Sequence, residues 1–338
     1  MRLILASGLL GECAQAQVSF RTLGGGTASD VSADGRVILY NSGLWTAERG
    51  YEPLPAAWPG YQGREGLVLS ADGRTVVGRM TWPTGALAMV WRYENGGFVT
   101  EPIGQPIGGR FNQCWDVNAD GSVAVGNQQP LGMRSTRGGT IETYTEVSNV
   151  WGVSADGRRM VGQPHSWQRI SVWEEGLGWT ALTVPFPGYW DVNAMRADGL
   201  SFVGSHVNGG RAVPYVWTPS EGFRFIDGGP GEQGWNATGV SADGSVIVGA
   251  YYSLGNDRAA VWTEGTGWRR LIDILREGGL DMTGWELYTP TAVSWDGRTI
   301  VGWGYRNGAQ TGYVATIPAP AGAAALGLAG LLALRRRR

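Results

Sequence analysis

The chain has 338 residues, of which 43% are hydrophobic and 17% charged, and it contains 56 glycines and 17 tryptophans. This composition is typical of a globular protein built from many short strands and tight turns, and it excludes a disordered chain. When the charged residues of the two ends are left out (Arg2, Glu12, Arg335 to Arg338), 22 basic and 28 acidic residues remain, a charge near −6. An acidic body without basic clusters argues against nucleic-acid binding, which requires clustered positive charge.

The first 16 residues have the pattern of a secretory leader. One arginine precedes the short apolar run LILASGLL, and Ala-Gln-Ala follows at 14–16. This order is typical of a Sec signal peptide that is cleaved after Ala16, and the alternative is a chance apolar terminus. We therefore predict that residues 1–16 are a leader and that the protein is exported. The two cysteines and two histidines of the whole chain are too few for a disulfide framework or a histidine metal cluster, and we expect no cofactor.

An Asp-Gly pair that precedes an apolar or β-branched run occurs seven times between residues 17 and 317. The copies share a common text, as in VSADGRVILY and VSADGSVIVG, and they are spaced by 38, 48, 36, 42, 45 and 53 residues. Seven copies with a period near 40–45 residues predict a propeller or another repeat array. The aspartates of the seven pairs are Asp34, Asp72, Asp120, Asp156, Asp198, Asp243 and Asp296.

Each copy divides into four short strands, labelled a to d. In the sixth copy, apolar runs bounded by Gly and Asp predict strand a at 235–241, b at 245–250, c at 258–263 and d at 268–272. Strand c carries an apolar residue followed by tryptophan in five copies, whereas the third copy has none and the seventh has Tyr313. A large aromatic at one strand position is expected to pack between blades rather than bind a ligand. These tryptophans are Trp45, Trp91, Trp173, Trp217 and Trp262.

The last copy contains strands a, b and c (291–294, 299–303 and 312–316) but no strand d before the tail begins. Residues 18–26, VSFRTLGGG, match the strand-d text FRFIDGG at 223–229. We therefore predict that the N-terminal strand completes the last blade and removes the exposed sheet edges. The fold class is predicted as all-β, a seven-bladed β-propeller over residues 17–317. A β-solenoid is the alternative, but it has no need of an orphan first strand.

Residues 116–127, DVNADGSVAVGN, place Asp116, Asn118, Asp120 and Gly121 at positions 1, 3, 5 and 6 of an EF-hand-like calcium loop. Such a loop needs an acidic twelfth ligand and flanking helices, whereas position 12 is Asn127 and the flanks are predicted strands. Only Asp-Gly before an apolar strand is common to all copies, which indicates a hairpin turn. A calcium-stabilised repeat is kept as an alternative, one that a melting temperature unmoved by EDTA would exclude.

In an antiparallel blade the a–b and c–d turns share one face, and the b–c and d–a loops share the other. The second face is predicted to carry long, irregular loops, and binding residues tend to lie on loops held by a rigid scaffold. We take the aromatics of this face as candidate ligand residues that would stack on sugar rings; alternatively, they cover the propeller's own rim. The candidates are Trp82, Trp167, Tyr251, Tyr252 and Tyr305.

The sequence contains no motif of a catalytic site: G-x-S-x-G, Walker and HExxH patterns are absent. A glycosidase needs two carboxylates at a set separation, and nothing in the sequence pairs the acids of the loops. We therefore predict no enzyme activity, with a carbohydrate-active lyase or hydrolase as the alternative. The carboxylates available to that alternative are Glu65, Asp116, Asp191, Glu232, Asp257, Asp281 and Glu286.

Residues 318–338 form a three-part tail: Pro318-Ala319-Pro320, an apolar run over 321–334, and the arginines Arg335, Arg336, Arg337 and Arg338. This order predicts a short hydrophobic helix with a positive stop, and its 14 apolar residues are marginal for spanning a bilayer. The tail resembles the PEP-CTERM class of sorting signals, although Ala319 stands where Glu is commonest. The resemblance implies transient membrane anchoring, processing by an exosortase and release to the surface of a Gram-negative-type bacterium. A plain membrane anchor is the alternative.

The repeat text, with its V-S-A-D-G-x-x-V-V-G and V-W-T segments, resembles the HAF family of bacterial extracellular repeats over most of residues 18–317. That resemblance implies an exported repeat protein and says little about activity. Together with the two ends, it predicts a β-propeller of the cell surface or extracellular matrix. We expect a non-catalytic binding or structural module whose partner is polysaccharide or a matrix protein.

Overall fold

The computed structural model describes residues 18–55, 61, 63–104, 110–139, 141–166, 168–226, 234–253 and 256–318. The predicted leader and the predicted tail helix, with Ala319, Pro320 and Arg335 to Arg338, lie outside these residues, while Pro318 is exposed after the last strand. Within the described residues no helix has the length and apolar character needed to cross a membrane.

In the described residues, twenty-eight strands form seven four-stranded antiparallel sheets, the blades of a β-propeller. The first strand of the chain is β1 (Ser19–Gly24), which belongs to the last blade. Blade 1 consists of β2 (Ala28–Val31), β3 (Val37–Tyr40), β4 (Gly43–Thr46) and β5 (Gly50–Pro53). Blade 2 consists of β6 (Gly63–Leu69), β7 (Thr75–Trp82), β8 (Gly85–Glu94) and β9 (Gly97–Ile103). Blade 3 consists of β10 (Gln113–Val117), β11 (Val123–Gln128), β12 (Leu131–Thr136) and β13 (Ile141–Tyr144).

The remaining blades follow in chain order. Blade 4 consists of β14 (Asn149–Val153), β15 (Arg159–Gln163), β16 (Ser171–Glu174) and β17 (Gly178–Ala181). Blade 5 consists of β18 (Tyr189–Met195), β19 (Phe202–Asn208), β20 (Arg211–Thr218) and β21 (Gly222–Phe225). Blade 6 consists of β22 (Trp235–Val240), β23 (Ile247–Ser253), β24 (Asn256–Thr263) and β25 (Gly267–Arg270), and the helix α1 (Leu271–Glu277) follows it. Blade 7 consists of β26 (Trp285–Val293), β27 (Thr299–Arg306), β28 (Ala309–Thr316) and β1.

The N-terminal strand closes the ring, as predicted. β1 pairs antiparallel with β28, with Ser19 opposite Thr316 and Thr22 opposite Tyr313. The Phe20 ring packs against Trp285 and Tyr313, with centroid distances of 4.9 and 5.7 Å. Residues from the two ends of the described chain therefore share one sheet, and the prediction of a seven-bladed propeller with an N-terminal closing strand is confirmed.

The repeated segment, Ser-Ala-Asp-Gly in four of the copies, forms the turn between strands a and b. In blade 1, Asp34 Oδ1 accepts hydrogen bonds from the Ser32 hydroxyl and the Arg36 backbone N–H, at 2.7 and 3.0 Å. In blade 3, Asp120 Oδ1 accepts the N–H of Ser122 at 2.9 Å. The glycine after each aspartate has φ between +66° and +74° in all seven copies, a conformation that glycine adopts without strain. The Asp-Gly stretch is therefore a hairpin turn, in agreement with the sequence.

Hydrogen bonds join these turns into a closed ring around one end of the propeller. At six junctions a backbone N–H of one turn donates to a carbonyl of the next, at 2.9 to 3.2 Å; Ala33 N to Ala71 O and Trp295 N to Ala33 O are two examples. At the junction of blades 5 and 6, the Arg196 side chain takes over this role, with Nε 3.2 Å from the Ala242 carbonyl. The repeat text thus fixes both a hairpin and a contact between neighbouring blades.

The hydrophobic core consists of clusters that each combine residues of adjacent blades. Val77 and Ala88 of blade 2, for example, pack with Cys114 and Ala124 of blade 3. The strand-c aromatics belong to the same interfaces: Trp91 is fully buried and packs among residues of blades 1 and 2. The predicted role of the recurring tryptophan in packing between blades is therefore confirmed.

Two predictions of local structure are wrong. Strand d of the sixth copy, predicted at 268–272, ends at Arg270 because Leu271, Ile272 and Leu275 form the buried face of helix α1. The b–c loops, predicted to be long, have only two residues in six blades and seven in blade 4. Asn and Gly with positive φ, such as Asn307 and Gly308, make tight turns there, so strands b and c extend further than the sequence pattern indicated.

Candidate functional site at the long-loop end of the channel

The first strand of every blade lines a central channel, and each of these strands contains a β-bulge at the same place in the repeat. The bulge turns an extra side chain toward the channel. The end of the channel that carries the Asp-Gly turns is called the turn end, and the end that carries the d–a loops is called the long-loop end. The bulged residues are Ser29, Leu67, Trp115, Trp151, Asn193, Thr238 and Thr291.

Toward the long-loop end, the residue two positions before each bulge is polar in all seven blades. We call this set the polar ring. It contains acids, amides and hydroxyls, which are the donors and acceptors that sugar hydroxyl groups require. The members of the polar ring are Thr27, Glu65, Gln113, Asn149, Asp191, Asn236 and Thr289.

Side chains of the polar ring bond across the crevices between blades. Arg79 pairs with Glu65 at 2.6 Å and also donates to Gln113 Oε1 of blade 3. Between blades 5 and 6, Asn193 Nδ2 and the Ser205 hydroxyl both donate to Asn236 Oδ1, at 2.9 and 2.5 Å. These bonds fix the orientation of several ring members before any ligand arrives.

The strand-b residues opposite the ring add further polar groups, because directly opposed residues of an antiparallel pair lie on the same side of the sheet. Asn127 lies opposite Gln113 and Gln163 lies opposite Asn149. Both side chains are about 3% exposed. Asn127 Oδ1 and Gln163 Oε1 accept no hydrogen bond from any described residue. Such buried acceptors usually bond to water or to a ligand.

Three half-buried aromatics of blade 7 lie next to the ring, and we call them the aromatic cluster: Tyr288, Trp303 and Tyr305. Trp303 lies opposite Thr289 of the polar ring. The Tyr288 and Trp303 rings are stacked at 5.3 Å, and Tyr305 meets Tyr288 edge-on at 5.0 Å. The Arg258 guanidinium lies 5.5 Å from the Tyr288 ring centre. The cluster therefore offers aromatic surface, with the Arg258 guanidinium next to it, at the place where Thr289 belongs to the polar ring.

The electrostatics of the ring differ between its two acids. Burial raises the pKa of Asp191 to about 6, although a hydrogen bond from the Val192 N–H acts in the opposite direction. Glu65 is paired with Arg79 and is half-exposed. The ring thus combines one carboxylate that titrates near neutral pH with one that is held in an ion pair.

The predicted aromatic candidates are distributed over strands rather than loops. Trp82 ends β7 and meets Tyr61 edge-on at 5.4 Å, and Tyr305 belongs to the aromatic cluster in β27. Tyr251 lies in β23, is 8% exposed, and packs on Trp235 with a centroid distance of 4.7 Å, so it covers the propeller's own interior. Tyr252 follows in the same strand with its side chain outside the described residues, and Trp167 also lies outside them.

The predicted carboxylates occupy several places. Glu65 and Asp191 are in the polar ring, and Glu286 is near Arg258, with Oε2 3.8 Å from Nη1. The assignment of Asp116 to the long-loop face is wrong: it follows the bulge in β10 and bonds to the Val153 N–H of blade 4 at 2.9 Å. Asp257 lies in β24, Asp281 is exposed in the connection after α1, and Glu232 lies outside the described residues.

Most of the polar ring, and Tyr288 and Trp303 of the aromatic cluster, are not among the site residues predicted from the sequence. A signal for the ring was nevertheless present. Each ring residue stands seven positions before the aspartate of an Asp-Gly pair, from Thr27 before Asp34 to Thr289 before Asp296. A polar residue at the same offset from the Asp-Gly pair in all seven copies predicts that these residues share one position in the ring.

Comparisons with known proteins support the fold. No protein-family model and no curated protein sequence matches the chain. Among solved structures it resembles an oligogalacturonate lyase in complex with manganese, with TM-score 0.56 and 14% identity over 90% of this chain and 97% of that one. It also resembles the β-propeller domain of Cps50 (Swd1) from Myceliophteria thermophila, with TM-score 0.59 and 12% identity over 88% and 100%. It also resembles virginiamycin B lyase from Staphylococcus aureus, with TM-score 0.54 and 15% identity over 89% of this chain and 100% of that one.

At these identities the similarity shows the fold alone. The similar structures include both lyases and the Swd1 propeller domain, so the fold does not decide between catalysis and binding. The chain is a seven-bladed β-propeller, and its function has to be argued from its own site.

Proposed function

We propose that this propeller is an exported, non-catalytic binding module of the cell surface or extracellular matrix, and that it binds polysaccharide at the long-loop end of its channel. The observation that supports this function is the polar ring beside the aromatic cluster. Amides and hydroxyls can bond to sugar hydroxyls, and the exposed parts of Tyr288, Trp303 and Tyr305 can pack against the apolar face of a sugar ring.

The placement of the two chain ends is consistent with this proposal. β28 ends and β1 begins at the turn end of the propeller, where Thr316 and Ser19 are paired. A tail that follows Pro318 would therefore hold the turn end toward a membrane and leave the long-loop end facing outward. The resemblances to PEP-CTERM tails and HAF repeats support export, exosortase processing and a surface location in the same way.

The test is retention of the purified protein on the producer's own exopolysaccharide, measured by affinity electrophoresis. We expect Trp303→Leu to weaken retention about tenfold, the effect of losing roughly 1.4 kcal/mol of stacking and contact area. Trp295→Leu is the matched control, because Trp295 is a tryptophan of the turn end with 38% exposure. Absence of retention by the unmodified protein, or equal loss in both variants, would contradict the proposal.

A carbohydrate-active enzyme remains the second candidate because Glu65 and Asp191 lie in the same ring and the pKa of Asp191 is raised to about 6. A carboxyl group that titrates near the working pH suits general acid–base catalysis. Under our proposal the size distribution of the polysaccharide stays unchanged after long incubation with the protein. Shortening of the polymer that disappears in Asp191→Asn and Glu65→Gln would assign the site to a lyase or hydrolase instead.

A further inference from the structure

The turn end of the channel contains a cavity of about 280 Å³, separate from the polar ring. It is lined by the first strands of all seven blades and by alanines of the Asp-Gly turns, such as Ala119 and Ala155. Cavities that bind drug-sized ligands usually have volumes of roughly 300–1,000 Å³. This one therefore suits a small group rather than a long polymer.

One wall of the cavity is aromatic. Trp115 and Trp151 are the bulged residues of blades 3 and 4, and both line the cavity. Their ring centroids are 4.7 Å apart and the planes are inclined by 44°. Both side chains are half-buried. Strands β10 and β14 thus place two adjacent indoles at the channel, where the faces of aromatic rings attract cations.

Two carboxylates complete the lining. Asp30 and Asp116 each follow a bulge and are half-buried. Asp116 accepts backbone N–H groups of Val117 and Val153 at 2.8 and 2.9 Å, and Asp30 accepts those of Val31 and Leu69 at 2.8 and 2.7 Å. A carboxylate has about four acceptor positions, so each group has further positions available.

The cavity has acids but no base. Among the described residues the lining includes no arginine, lysine or histidine, and its titratable side chains there are Asp30 and Asp116. Neither forms an ion pair with any described residue. Two carboxylates in a narrow protein-lined channel without a counter-charge favour a cationic ligand.

Asp30 and Asp116 do not recur around the ring, although each accepts a backbone N–H from the next blade, that of Leu69 and of Val153 respectively. The equivalent positions after the other five bulges are apolar or glycine, and those blades pack without a carboxylate there. The five carboxylate-free positions are Val68, Gly152, Ala194, Gly239 and Ala292.

We infer that the turn-end cavity binds an alkylammonium group, which lies against the faces of Trp115 and Trp151 and is neutralised by Asp116 and Asp30. An ammonium ion with carbon substituents matches both features, since aromatic faces and carboxylates together recognise organic cations. The source is either a quaternary ammonium compound or the protonated amine of an amino sugar. This site is independent of the polysaccharide site proposed at the opposite end.

The site predicts a pH dependence with a definite sign. Burial raises the pKa of Asp30 and of Asp116 to about 7, and the charge of Asp30 adds to the effect on Asp116. A bound cation favours the ionised carboxylates, so binding releases protons and strengthens as the pH rises through 7. Affinity should be low at pH 5.5 and high at pH 8.

The experiment is a ligand-observed NMR titration of the full chain with tetramethylammonium, repeated with protonated glucosamine and with uncharged N-acetylglucosamine. We expect saturable binding of one or both cations, no binding of N-acetylglucosamine, and weaker binding at pH 5.5. Tetramethylammonium alone would indicate a quaternary ligand, and preference for glucosamine would indicate an amino sugar.

Variants separate the site from general effects on folding. Trp151→Phe retains an aromatic ring and should weaken binding several-fold, whereas Trp151→Leu and Asp116→Asn should abolish it. Trp303→Leu, at the opposite end, should leave it unchanged. Absence of saturable binding at pH 8 would overturn the inference. So would equal competition by calcium or potassium, or binding that survives both Trp151→Leu and Asp116→Asn in proteins with an unchanged circular dichroism spectrum.

Discussion

The two ends of the channel are built from the same seven strands but by different means. At the turn end the same Asp-Gly turn recurs in every blade, and backbone hydrogen bonds join blade to blade at six of seven junctions. At the long-loop end the ring residues differ from blade to blade and bond through side chains, as between Arg79 and Gln113. The repeat therefore specifies the scaffold at one end and leaves the other end free to acquire an individual binding surface.

The largest expected effect concerns glycines at the two ends. Gly121 of the turn end and Gly210 of the long-loop end both have positive φ, +73° and +82°. A Cβ on Gly121 would overlap the Thr75 side chain of blade 2, whereas a Cβ on Gly210 has nothing within 4 Å. Gly121→Ala should lower the free energy of unfolding by about 3 kcal/mol and Gly210→Ala by about 1 kcal/mol. Urea denaturation measures both, and equal losses would contradict the proposed difference between the ends.

An intermediate effect is expected from the carboxylates at the turn end. The raised pKa values of Asp30 and Asp116 mean that the folded protein binds protons more tightly than the unfolded chain. Their contribution to stability is therefore complete below about pH 4 and is lost as the pH rises through 7. The difference in urea midpoint between pH 6 and pH 8 should shrink in the Asp30→Asn, Asp116→Asn double variant.

The control for this pH effect is Asp281→Asn, because Asp281 is exposed and its hydrogen bonds with Thr283 lower its pKa. That variant should retain the full change in urea midpoint between pH 6 and pH 8. If the double variant retains it as well, the charge at the turn end does not contribute to the pH dependence.

The smallest effect tests the one irregular junction of the turn end. Arg196 Nε donates to the Ala242 carbonyl, and its Nη1 lies 3.0 Å from the Ser201 hydroxyl. Arg196→Ala should cost about 1 kcal/mol of unfolding free energy, the net value of a hydrogen bond. The exposed Arg211 of the long-loop end provides the matched control, for which Arg211→Ala should change stability by less than about 0.5 kcal/mol. A loss in the control as large as in Arg196→Ala would show that the junction has no special role.

The difference between the repeated turn end and the varied long-loop end also decides which features could be predicted from the sequence. Asp-Gly turns are local chemistry repeated seven times, so their number predicted the blades, and the missing strand d predicted the closing role of β1. Helix α1 was not predicted, because the sequence WRRLI resembles a strand. Its burial of Leu271 and Leu275 against blade 7 depends on tertiary packing, which the local sequence does not show. The bulges that bring Glu65, Gln113 and Asp191 to one level around the channel arise from pairing between strands, which a single strand's composition does not reveal.

Oxidative footprinting tests most directly whether polysaccharide binds at the long-loop end. Hydroxyl radicals modify exposed tryptophan and tyrosine, and mass spectrometry locates the modified residues with and without the producer's exopolysaccharide. We predict protection of Trp303, Tyr288 and Tyr305, with unchanged modification of Trp295 at the turn end. Protection of Trp295 with no change at Trp303 would place the polysaccharide at the opposite end of the propeller and contradict the account.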